Sequence, residues 1–246
     1  TLNDPLGADG TRAYGINNVG QIVGDYIDVN GGTHGFVFAA NTYTTLDDPL
    51  AVNSTYAKGI NDAGQIVGYY YDANNNAHGF VDNGGTYTTL NDPSAAGGTY
   101  AEGINNAGQI VGYYVDAAGA AHIFIYSNGA YFNYTDPSAA AGAGEGSNVF
   151  AINNAGQIAG YYLDGGFNGI GFVADPPEAS GTITANRGTT VDLVNSTVIG
   201  GTVDVAGVLD STGTSAIVDA AIDNHRTGTI ESTGGGTLTI DSGALD

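Results

Sequence analysis

The decapeptide GINNAGQIVG (residues 103–112) decides the fold, because the chain repeats it: GINNVGQIVG at 15–24, GINDAGQIVG at 59–68 and AINNAGQIAG at 151–160. The first two steps are 44 residues and the third is 48. The four extra residues fall in the small-residue stretch 138–147, which reads as a loop insertion. A second marker keeps the same period: Asp4-Pro5, Asp48-Pro49, Asp92-Pro93 and Asp136-Pro137. Self-similarity at a fixed period signals a protein built from stacked supersecondary units.

Within the second unit, the pattern predicts strands at 56–61, 65–72, 78–82 and 86–90. The Asn-x-x-Gly step after the first strand supplies a turn former and a glycine suited to positive φ, as a three-residue hairpin loop requires. The tract 72–76 and Asn83-Gly84-Gly85 supply the next two turns. The second strand, Gln-Ile-Val-Gly-Tyr-Tyr, is apolar on both faces, so its sheet should be packed on both sides. Four antiparallel strands per 40 to 50 residues is the pattern of a β-propeller blade. Residues 1–177 are therefore expected to form a small four-bladed β-propeller. The last unit lacks the outer Thr-Tyr-Thr-Thr-Leu strand, and Thr1, Leu2, Asn3, Asp4 and Pro5 offer a strand that could complete it. Completion within the molecule gives a closed monomer, whereas completion of a neighbour's sheet gives a polymer.

The GINNxGQIVGYY stretches resemble the HAF-type extracellular repeat family over residues 1–177. That resemblance implies a secreted or surface-attached bacterial protein, and it brings no catalytic residues with it. Beyond residue 177 the 44-residue pattern disappears and short Thr/Val segments alternate with Gly- and Ser-rich corners. Residues 178–246 are expected to form a short β-solenoid, each rung pairing with its neighbours. The stretch GTIESTGGGTLTID (228–241) is similar to the rung repeats of large bacterial adhesins and autotransporter passengers.

Composition narrows the function. Four basic residues (Arg12, Lys58, Arg187, Arg226) stand against 25 acidic ones, for a net charge of −21. Such a surface repels phosphate backbones and anionic headgroups, so nucleic acid is excluded as a partner. There is no Cys, Met or Trp, which removes disulfides, thiolate catalysis and cysteine zinc sites. No apolar run is long enough for a membrane helix, so no membrane insertion is expected. No signal-peptide pattern appears at the N-terminus, and a chain that starts at Thr1 reads as processed or as a fragment.

Candidate sites follow from the repeat. His34, His78 and His122 recur six residues after Asp28, Asp72 and Asp116. Repeat equivalence puts them on separate blades, so they read as turn packing and not as one metal site. Asp72, Asn74 and Asn76 alternate oxygen ligands as a calcium loop does, but also match a plain Asx turn; calcium is a candidate ligand and no cofactor is required. The pairs Tyr69-Tyr70 and Tyr113-Tyr114 read as inter-blade core and as candidate glycan contacts, since sugar sites combine aromatic faces with hydrogen bonds. There is no nucleophile elbow, zinc-protease motif or phosphate loop. The expectation is a non-enzymatic extracellular structural or adhesive protein of a bacterial surface, a homo-oligomer or polymer assembling through open strand edges by strand complementation or end-to-end stacking into filaments. The alternative is a multivalent, lectin-like propeller that binds surface glycans.

Overall fold

The computed structural model describes residues 1–52, 54–134, 146–174, 182–194, 197–199, 202–218, 221–225 and 228–241. Asp136-Pro137, residues 138–145 of the expected insertion 138–147 and the expected boundary at 177 lie outside them. The protein is all-β, with no helix among the described residues, and it divides into two compact units, Thr1–Ala174 and Asp175–Asp246.

In the first unit each sequence repeat becomes an antiparallel meander. The first holds β1 (Thr11–Ile16), β2 (Ile22–Ile27), β3 (Thr33–Ala39) and β4 (Thr42–Leu46), paired in that order. The second holds β5 (Thr55–Ile60), β6 (Ile66–Tyr71), β7 (Ala77–Asp82) and β8 (Tyr87–Leu90), within one residue of the spans expected from sequence. The third holds β9 (Gly98–Ile104), β10 (Ile110–Val115), β11 (Ala121–Ser127) and β12 (Ala130–Tyr134). The fourth has three strands, β13 (Gly146–Ile152), β14 (Ile158–Leu163) and β15 (Gly169–Ala174), joined to the third by one parallel bridge, Ala121↔Gly146.

The recurrent turn forms as the sequence implies. Asn61 Oδ1 accepts from the N–H groups of Ala63 and Gln65, and Gly64 takes φ +80°. Just before this turn the first strand slips register between Ala57 and Gly59, a β-bulge that increases local twist. Successive first strands then run close together: a Cβ on Gly59 would lie 3.1 Å from Gly103 Cα.

The core is not inside a sheet but between sheets. Val23 and Leu46 of the first meander pack with Ala57, Ile60, Ile66, Tyr70 and Phe80 of the second. Val67 and Leu90 meet Ala101, Ile104, Ile110, Tyr114 and Phe124 in the same way, and Val111 and Ile125 meet Val149 and Ile158. Two-sided packing explains why the second strands are apolar on both faces.

No sheet closes on itself among the described residues. Thr1, Leu2, Asn3, Asp4 and Pro5 form no strand, and among the described residues β15 pairs only with β14. Asp4 anchors this segment to the first meander. It is buried, takes the N–H of Leu6 on Oδ1, and donates its own N–H to Thr11, tying the segment to its own meander. Asp48 and Asp92 make the same contacts with Leu50 and Thr55, and with Ser94 and Thr99.

The second unit is built from parallel pairs. β16 (Thr182–Ala185), β17 (Thr190–Val194) and β18 (Thr197–Ile199) are followed by β19 (Thr202–Val205), β20 (Val208–Val218), β21 (Ala221–Asn224) and β22 (Thr229–Asp241). Thr182 pairs with Thr202 and Thr202 with Ala221; Thr190 pairs with Val208 and Val208 with Thr229. Ala185, Val203, Val205, Leu209 and Ile222 form its core.

Candidate functional site

The repeat places one polar constellation at each meander's second turn. In the second meander Tyr70, near the end of β6, is buried, and His78, near the start of β7, stacks its ring on Tyr70 at 5.2 Å between centroids. Between them, Asp72 closes the turn: its Oδ1 accepts from the N–H groups of Asn74 and Asn76, and its Oδ2 from Asn76 Nδ2 and, at 3.4 Å, from His78 Nε2. These donors hold the Asp72 carboxyl down at a pKa of about 2. On the other side of the imidazole, Nδ1 lies 2.8 Å from Asn91 Oδ1, and the Tyr70 hydroxyl meets Thr89 Oγ1 at 3.3 Å.

These groups, with the exposed side chain of Leu50, line a surface cleft of about 530 Å³. Apolar ground is provided by Leu50 and the edge of Tyr70, while Asp72, Asn74, His78, Thr89 and Asn91 set fixed polar groups around it. The first meander repeats the set: His34 stacks on Tyr26 at 5.2 Å, its Nδ1 is 2.9 Å from Asp47 Oδ1, Tyr26 meets Thr45 at 3.1 Å, and Leu6 is exposed. The third keeps His122 on Tyr114 at 5.1 Å and on Asp116 Oδ2 at 3.0 Å, but has Ser94 where Leu6 and Leu50 stand. The fourth has Ile170 at the histidine position.

This geometry sorts the residues singled out from sequence. The three histidines sit in separate meanders, and each stacks on a tyrosine and hydrogen-bonds at its turn. Asp72, Asn74 and Asn76 do come together, but as an Asx turn in which both asparagines donate to the aspartate. Tyr70 and Tyr114 are buried, each with its ring stacked on a histidine, and Tyr70 lines the cleft beside His78. Tyr69 and Tyr113 lie elsewhere, in an aromatic column: Tyr56 stacks on Tyr69 at 4.7 Å, Tyr69 meets Tyr100 edge-on at 5.1 Å, and Tyr100 stacks on Tyr113 at 4.7 Å. Burial raises the hydroxyl pKa of both Tyr69 and Tyr113.

Sequence reasoning missed two sets of residues. One is the partner of the imidazole thirteen positions on, Asp47 or Asn91, whose only signal is constant spacing from the histidine. The other is a ladder at the first turn: Asn17, Asn61 and Asn105 each donate from Nδ2 to the main-chain carbonyl of the equivalent asparagine in the next repeat, at 3.0, 3.2 and 3.1 Å. Beside it, the N–H of Asn18 bonds Asp62 Oδ1, that of Asp62 bonds Asn106 Oδ1, and that of Asn106 bonds Asn154 Oδ1.

No family model matches the chain, and no curated protein matches it. Solved structures of similar shape include the β-propeller domain of the Trilobed protease from Pyrococcus furiosus, described as having an open velcro topology: 10% identity and TM-score 0.44, over 63% of this chain and 49% of that one. AofleA from Arthrobotrys oligospora aligns at 14% identity and TM-score 0.44, over 70% of this chain and 56% of that one. The lectin of Aleuria aurantia, a six-bladed β-propeller with a novel fucose recognition mode, aligns at 14% identity and TM-score 0.38, over 66% of this chain and 73% of that one. The chain thus spans about half the length of the first two.

Proposed function

We propose that this protein is a non-enzymatic, exported carbohydrate-binding module in which an arc of four β-propeller blades offers repeated shallow clefts to neutral glycans, followed by a short β-solenoid. The observation that carries this reading is the recurrence of one cleft chemistry: an exposed leucine beside a Tyr–His stack, ringed by oriented Asp, Asn and Thr groups. A sugar presents an apolar C–H face and several hydroxyls, and such a surface offers a counterpart for each. A net charge of −21 turns anionic ligands away and leaves neutral ones. Each cleft is shallow, so useful affinity comes from several engaged together. The resemblance to HAF-type repeats supports placement outside a bacterial cell. No cofactor is required; calcium at Asp72, Asn74 and Asn76 would compete with the hydrogen bonds that already close that turn.

Glycan-array screening followed by calorimetry tests the reading. Binding should weaken at least tenfold in Leu50→Asp and in His78→Ala, while Tyr113→Phe leaves it unchanged. Silence across the array, or equal weakening by Tyr113→Phe, rejects it.

A second reading, a structural adhesin that polymerises by strand complementation, is favoured by β15, which has one strand neighbour, β14, among the described residues. Residues 1–5 of another copy would pair there. Leu2→Pro, which removes a donor from that strand, should then abolish assembly.

A further inference from the structure

The three joints between successive meanders use one design, and each end of the arc displays one half of it. In every joint, the earlier meander presents Val23, Val67 or Val111 from its second strand and Val37, Val81 or Ile125 from its third. The later meander receives them on Ile60, Ile104 or Ile152 at the end of its first strand. Ile60 and Ile104 are 7% and 8% exposed, and Ile125 is 7% exposed. The same positions at the two ends are bare: Ile16 of the first meander is 68% exposed, and Val173 of the fourth is 73% exposed.

The polar half of the joint is unfinished in the same places. Asn153 Nδ2 bonds Gln157 Oε1 within its own turn, as its equivalents do, but among the described residues has no following carbonyl to reach. At the other end, the Asn17 carbonyl accepts the N–H of Gly20, and no asparagine among the described residues donates to it.

We infer that these two faces are complementary halves of a fourth joint, and that the protein associates head to tail with a second copy of itself, Val173 of one copy packing on Ile16 of the next and Asn153 donating to the Asn17 carbonyl. The contact is heterologous, so it closes into a ring or continues as a fibre according to its angle. This inference concerns sheet faces, not strand edges, and does not depend on the glycan reading. Ala151 stands where Gly15, Gly59 and Gly103 approach the next first strand, so the new joint has a methyl group at that approach where the three existing joints have glycine. Charge modulates it too: two copies that each carry −21 repel, so association should strengthen with salt as that repulsion is screened.

The test is light scattering on the intact chain in moderate and high salt, with Ile16→Asp and Val173→Asp. Both substitutions fall at exposed positions, and thermal melts confirm that folding is retained. The mass of the parent protein should rise above 24.7 kDa with concentration and with salt. Each variant alone should stay at single-copy mass. An equimolar mixture should form dimers and stop there, because Ile16→Asp keeps the donor face and Val173→Asp keeps the receiving face. The chain has no cysteine, so Ile16→Cys and Val173→Cys add a directional readout with a short bis-maleimide. Cross-links should form between the two variants and not within either; in the first joint, the equivalent Val37 and Ile60 line one cavity. A parent protein that stays single-copy throughout overturns the inference, as does assembly indifferent to both aspartates or cross-linking of Ile16→Cys to itself.

Discussion

Asn17 donates from Nδ2 to the carbonyl oxygen of Asn61 at 3.0 Å, across 44 residues of sequence, and the same side chain closes its own turn by taking the Gln21 N–H at 2.8 Å. One asparagine thus shapes a hairpin and ties it to the next sheet. Asn61, buried in the middle of this ladder, should be the most costly to remove. Asn61→Ala strips the acceptor from two turn N–H groups and leaves the Asn105 carbonyl without that donor, for a loss of about 2–3 kcal/mol in urea unfolding. Asn153→Ala, at the exposed end of the ladder, should cost about 1 kcal/mol or less.

Glycine at the centre of each second strand is required by close packing. A Cβ on Gly68 would run into the Tyr56 carbonyl oxygen and reach 3.0 Å from the Phe80 ring. Gly68→Ala should therefore destabilise by about 3 kcal/mol or prevent folding. Gly171→Ala, where the nearest atom would be 3.8 Å away, should change the melting temperature little.

Lys58 bridges meanders: its Nζ is 3.5 Å from Glu102 and 3.9 Å from the centre of the Tyr14 ring. Burial raises the Glu102 pKa, and Lys58 opposes that rise. Removing the cation in Lys58→Ala leaves a buried carboxylate uncompensated at neutral pH, at a cost of about 3 kcal/mol. A carboxyl raised in the folded state is penalised as pH rises through its titration and not below it. The deficit of the variant relative to the parent should therefore shrink as pH is lowered from 7 to about 4. Chemical denaturation across that range checks both the size and the direction.

Phe167 occupies a turn position held by Gly31, Asn75 and Gly119 in the other repeats, and it adopts φ +59° with its side chain exposed. An aromatic residue pays for the left-handed conformation in a way glycine does not. Phe167→Gly should stabilise the fourth meander by about 0.5–1 kcal/mol, seen as a higher melting temperature.

The strands and first turns were legible because their chemistry is local. Asn61, Gly64 and the apolar run from Ile66 specify a hairpin without help from the rest of the chain. The partners of those groups were not legible. Nothing in the string of residues says that the Asn61 amide reaches Asn105, or that Asp48 folds back under its own meander, because both depend on how one sheet is placed on the next. Tyr69 and Tyr70 show the same limit. They are adjacent and identical in type, yet one joins the aromatic column and the other lies beneath His78. For Asp72, Asn74 and Asn76, the same residue types at the same spacing fit both a calcium loop and the Asx turn that they form.

Every rung of the Asn17, Asn61, Asn105 and Asn153 ladder offers the donor and acceptor that the next rung needs. The number of rungs is therefore a free parameter: a whole unit copied into the chain, or cut from it, would rejoin like with like. Size in this architecture can grow by duplication alone, with no new contact to invent. The four-residue excess before the last unit shows where variation is tolerated, since the ladder continues to Asn153 regardless of it.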